Sequence, residues 1–214
     1  MADGSSESLN FDTAALNNAT VEVARKLDPL KDYILPLSAL ALFFLAIYLS
    51  LRISKKLLAK NSNPAFFKME DLPPPLRVAT VPLLLGYFLT HVFSAATVYY
   101  NTQIANPSTL LYFEAMGTGR LLSLTHAHLF AHATMYFILA ALVQLTGTGF
   151  VFTVLAPLMA LWAGVFDVFS WWGLKSISPN FEWLSIACGS IFSVAFVLMA
   201  FAILRSALRG KAAR

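Results

Sequence analysis

All four histidines of this chain lie inside long apolar stretches, His91 in one and His126, His128 and His132 together in the next. Asp167 lies in a third. An ionisable side chain in so apolar a setting is expensive and defaults to a functional assignment. Imidazole can be an axial ligand of haem, a ligand of copper, iron or zinc, or a carrier of protons. His128 and His132 are four residues apart, so a helix places them on one face. His126 is turned about 160° from His128 at roughly 100° per residue and faces elsewhere. Ala127, Ala131 and Ala133 keep this helix slim, leaving room for a bulky group or a close neighbour.

The elements that position these groups follow from composition. Hydrophobic residues make up 58% of the 214 and charged ones only 12%, against about a quarter charged in a soluble domain. Mean hydropathy is +0.68. Several apolar runs reach the ~20 residues that cross about 30 Å of hydrocarbon. The fold class is therefore all-α, an integral membrane bundle of five transmembrane helices over 33–54, 79–100, 122–147, 149–173 and 182–206. Residues 1–32 form a polar segment ahead of this 33–206 domain, and 207–214 a basic tail. Pro36 and Pro82 are expected in first helical turns, where a missing N–H costs little. Pro157 falls mid-span and is expected to kink the fourth helix. The short break at 146–149 makes the third and fourth helices tight antiparallel neighbours.

Arg52, Lys55, Lys56, Lys60, Lys68 and Arg77 in the first connector, with Arg205, Arg209, Lys211 and Arg214 in the tail, are ten of the fifteen basic residues. Cytoplasmic flanks carry such an excess, so the N-terminus is expected outside and the C-terminus in the cytoplasm. Tyr33, Tyr99, Tyr100, Trp171, Trp172 and Trp183 then form the outer aromatic belt. The first connector is Pro-rich, and its Phe66 and Phe67 either dip into the headgroup layer or sit in a solvated loop. The polar, acidic start is not expected to act as a cleavable signal peptide. The net charge of +4 flanks spans instead of forming a stripe, which argues against nucleic acid. Cys188, the only cysteine, supports neither a disulfide framework nor covalent haem attachment.

A rise of about 1.5 Å per residue puts His91 roughly 13 Å below the outer ends of the spans, His132 roughly 15 Å, and His128 and Asp167 roughly 9 Å. His126 is roughly 6 Å deep. Three chemistries compete for this layer. The first is haem b between the second and third helices, with His91 and either His128 or His132 as axial ligands. His126 and Arg120 would then address propionates or a quinol headgroup. The second is a copper, iron or zinc centre on His91, His128, His132 and Asp167. The third is a cofactor-free set of interhelical hydrogen bonds or a proton relay.

The stretch Leu124-Thr125-His126-Ala127-His128-Leu129-Phe130 resembles the His-Ala-His helices of the haem-bearing subunits of nitric oxide reductases and haem–copper oxidases. The remaining metal-binding histidines of those subunits have no counterpart here, so their catalytic centre is not carried over. A small multi-helix chain with histidines on two neighbouring helices is also similar to b-type cytochrome subunits of membrane oxidoreductases. The resemblance implies a redox-complex subunit in a bacterial inner membrane. It would bind haem b in the outer half of the bilayer and relay electrons between quinone and an extracytoplasmic cytochrome or other redox protein. With no sizeable domain outside the membrane, further subunits and lipid are its expected partners. A cofactor-free assembly subunit and a copper or iron metalloprotein are the alternative expectations.

Overall fold

The computed structural model describes residues 28–60 and 68–209. Phe66, Phe67, most of the polar N-terminal segment and the last five residues of the basic tail lie outside that range. Among the described residues five helices are long and apolar enough to cross a bilayer: Leu30–Leu57, Pro74–Ile104, Thr118–Gln144, Val151–Ser176 and Phe181–Leu208. In finer detail, α1 (Leu35–Lys60) follows a π-helical turn, Leu30–Ile34, and α2 (Pro74–Tyr99) runs on through another, Tyr100–Ile104. The short α3 (Thr109–Ala115) precedes α4 (Thr118–Gln144). A third π-helical turn, Val151–Leu155, leads into α5 (Ala156–Ser176), and α6 (Phe181–Leu208) completes the bundle.

Prolines account for the main departures from the expected helix ends. Pro73 caps α2, and Pro74 and Pro75 take its first two positions, where no N–H is needed. The helix therefore starts five residues ahead of Ala79, and Pro82 lies in its interior rather than in a first turn. Its ring leaves the Val78 carbonyl without the usual helical donor. Pro157, expected mid-span, is the seventh residue of the span Val151–Ser176. It stands at the start of α5 directly after the π-helical turn, and the wider turn takes up the ring. The connector expected across 101–121 holds α3, whose N-cap Ser108 Oγ accepts from Leu111 N–H at 3.2 Å. Gly147 alone among the described residues has a positive φ, 65°, and turns the chain beyond α4.

Lipid tails are as apolar as leucine, so close approach rather than the hydrophobic effect holds these helices together. The tightest pair is α5 with α6, and α4 packs on both. Helix α1 leans on α5, and α2 on α6. Small residues allow it, since α5 turns Ala156, Ala160, Ala163, Gly164, Ser170 and Gly173 inward. One core gathers Met69, Tyr136, Leu139, Val143, Met199 and Ile203. A second gathers Phe43, Ile47, Phe113, Leu121, Leu184 and Cys188 nearer the α3 end. Phe93, Phe130 and Phe137 are exposed on the outside of the bundle, where lipid covers them.

The α3 end is fastened by polar contacts. Ser178 Oγ donates to the buried Asp32 carboxylate at 2.7 Å, and Asn180 Nδ2 donates to the Asp32 carbonyl at 2.7 Å. Lys175 Nζ donates to the carbonyls of Phe113 and Glu114 at 3.3 and 3.4 Å and to that of Met116. One ammonium thus satisfies the end of α3, whose last carbonyls have no helical donor. Lys175→Met is expected to free α3 at a cost of about 1–2 kcal/mol. Amide exchange should accelerate across 108–116 and stay unchanged in α6.

Candidate functional site

The polar layer is built on α4. His128, His132 and Tyr136 follow one another at four-residue steps and form a single stripe on the inner side of the helix. His132 is fourteen residues from the start of α4 and twelve from its end, so it lies near mid-depth by the rise per residue. The ring centroids of His128 and His132 are 5.8 Å apart, and those of His132 and Tyr136 are 6.1 Å apart. The His132 ring also lies 5.3 Å from that of Phe192 on α6. Its Nδ1 is buried, and a Cβ at Gly164 would come within 2.7 Å of it. Only a glycine on α5 lets this imidazole sit so close to the neighbouring backbone.

Helix α2 closes the stripe from the other side. His91 Nδ1 lies 2.9 Å from the Tyr87 carbonyl and Nε2 lies 3.2 Å from the Tyr136 hydroxyl. That hydroxyl is in turn 3.3 Å from the Phe192 carbonyl. The His91 ring stacks on Phe196 at 4.4 Å and 21°. His128, His132, Tyr136 and His91 therefore form one continuous row from the α3 end of the bundle to α2.

Asp167 stands apart from this row. It is buried on α5 and accepts from Ser185 Oγ at 2.6 Å. The Trp171 ring, one turn along α5 from Asp167, meets His128 edge-on at 4.8 Å. Trp172 Nε1 donates to Thr125 Oγ1 at 2.9 Å, which ties α5 to α4 beside His128. His126 is exposed on the outer surface of α4. Arg120 is exposed as well, eight residues and thus about 12 Å along the helix from His128.

The four groups expected to share a metal are consequently divided. Tyr136 contacts both His91 and His132, Trp171 contacts His128, and Asp167 is engaged by Ser185. Among the described residues no three His, Cys, Asp or Glu side chains come together as a metal site. A haem ligated by His91 would require Nε2 to leave Tyr136 and the ring to leave Phe196.

The histidine row does meet an open space. A groove of about 250 Å³ between α4 and α5 is lined by Leu129, His132, Ala133, Leu158, Leu161, Trp162 and Val165. The Trp162 N–H is already used by Ser50 Oγ at 3.0 Å. His132 is then the one lining side chain whose polar group is not committed to a side-chain partner. A second groove of about 230 Å³ between α5 and α6 is lined by Val151, Met159, Val194 and their neighbours. Its only hydroxyl, on Ser190, is spent on the Ile186 carbonyl at 2.8 Å.

Residues 106–214, which include α3 to α6 and the whole α4 stripe, match the family model Aq_1264_TM, described as a transmembrane helical domain. The chain belongs to that family. The matched region covers just over half of the sequence and leaves out α1 and α2, so His91 lies outside it. No curated protein and no solved structure matches the chain. Of the site, Tyr136 was legible as the next four-residue step after His132. Trp171 was legible only as an aromatic of the outer belt, and Gly164 and Phe196 carried no signal of their own, because their roles depend on how α5 and α6 are rotated against α4 and α2.

Proposed function

We propose that this chain is a membrane subunit of a redox complex that holds a quinone headgroup in the groove between α4 and α5. One observation carries the reading. His132 lines an otherwise apolar groove between α4 and α5 and stands within a row of proton-binding side chains. A quinone needs such a combination: apolar walls for ring and isoprenoid tail, and one hydrogen-bond partner for a carbonyl or hydroxyl oxygen. Imidazole serves either redox form, because a ring nitrogen donates to a carbonyl or accepts from a hydroxyl according to the tautomer. The helices lie in a bacterial inner membrane with the basic tail in the cytoplasm. Electrons leave to a cofactor-bearing partner subunit or an extracytoplasmic redox protein. Haem b on His91 and His132 is the competing reading; both imidazoles lie on neighbouring membrane helices, and His91 would have to give up its contact with Tyr136 to serve as a ligand.

Purification in mild detergent, solvent extraction and quantitation of quinone per chain, with a reduced-minus-oxidised spectrum of the same sample, tests both. Near-stoichiometric quinone without Soret or α bands is expected. His132→Leu keeps the groove apolar and removes the hydrogen bond, so affinity should fall about tenfold, the equivalent of roughly 1.4 kcal/mol. Haem bands in stoichiometric yield would replace the quinone reading with the haem one. Absence of both would leave a cofactor-free assembly subunit.

A further inference from the structure

The hydrogen bonds around His91 do not close with a single arrangement of protons. The Tyr87 carbonyl 2.9 Å from Nδ1 is an acceptor only, so Nδ1 carries a hydrogen and donates it. In a neutral imidazole Nε2 is then bare and accepts, and the Tyr136 hydroxyl must supply the hydrogen across 3.2 Å. The same hydroxyl has a second acceptor, the Phe192 carbonyl, at 3.3 Å. It has one hydrogen and two places to put it.

We infer that His91, Tyr136 and the Phe192 carbonyl form a proton-storing station inside the bundle. When the ring takes a second proton at Nε2, this atom becomes the donor to the Tyr136 oxygen. The hydroxyl then turns its own hydrogen to the Phe192 carbonyl, and no heavy atom has to move. One proton enters, no bond between heavy atoms changes, and the added charge resides on the imidazolium. The surroundings suit that charge. Two oxygens accept its N–H groups, and the face of Phe196 lies 4.4 Å away in stacked geometry, where a cation is attracted by the ring quadrupole.

The groups that face His91 come from three helices. On α2 there is the Tyr87 carbonyl, on α4 Tyr136 with His132 behind it, and on α6 Phe192 and Phe196. Hydrogen bonds and an aromatic face are the contacts that support the charged form. The station does not depend on what occupies the groove at His132.

Nitrogen NMR of the full chain in lipid nanodiscs, labelled with ¹⁵N at histidine, reads the protons directly. His91→Phe serves only to assign the resonances. At alkaline pH the His91 ring should be protonated at Nδ1 and bare at Nε2, and acidification should convert it to the doubly protonated form. Tyr136→Phe should shift the Nε2 resonance toward that of a nitrogen without a donor and leave Nδ1 in place. A ring protonated at Nε2 instead of Nδ1 at alkaline pH overturns the proposal. So does an Nε2 signal indifferent to Tyr136→Phe, or a ring that takes no second proton while the protein stays folded. The wild-type tautomer decides the matter even where the variant does not fold.

Discussion

Gly164→Ala should displace His132 and empty the groove in one step. The new methyl group would meet Nδ1, Cγ and Cβ of His132 at 2.7, 3.2 and 3.3 Å. The last two atoms belong to the root of the side chain, so rotating the ring does not relieve the contact. Helix α4 must move away from α5, and overpacking of this kind costs about 1–3 kcal/mol. The groove lies between the same two helices and is lined by the displaced ring. Bound quinone should therefore fall at least as far as in His132→Leu, accompanied by a lower thermal midpoint. The two variants differ in that respect, because His132→Leu removes the hydrogen bond and is read mainly in ligand content. If Gly164→Ala retained both the midpoint and the ligand, α4 and α5 would not be in the register described here.

The largest loss of stability is expected for Gly173→Ala. A Cβ there would fall 2.3 Å from two atoms of the Phe181 ring and 2.7 Å from a third. Phe181 is buried at the start of α6, and the Gly173 carbonyl accepts from Ile177 N–H at 2.8 Å and Ser178 N–H at 3.0 Å. The glycine thus holds the turn between the two most closely packed helices, which has nowhere to give. The cost should reach the upper part of the ~1–3 kcal/mol overpacking range, measured as the thermal midpoint in detergent. Phe181→Leu in the same chain should restore part of it. A rise in stability from Gly173→Ala would refute the contact.

Much of the fold was legible because hydrocarbon imposes a local rule. A run of ~20 apolar residues must be helical when no water is present to satisfy its backbone, so five spans could be counted from hydropathy alone. Helix ends were less legible, since the three prolines at 73–75 begin α2 early and a π-helical turn relieves Pro157. The face shared by His128 and His132 follows from helical periodicity.

Which residues that face would meet was another matter. The sequence determined that His91, His128, His132 and Asp167 would lie in the membrane-spanning helices, because depth is a count of residues along a single helix. The tertiary structure alone decided that Tyr136 contacts both His91 and His132, that Trp171 packs on His128, that Asp167 pairs with Ser185, and that Gly164 admits the His132 ring. Rotation of one helix against the next depends on close contacts between residues far apart in the chain, and no local pattern along a single helix encodes it.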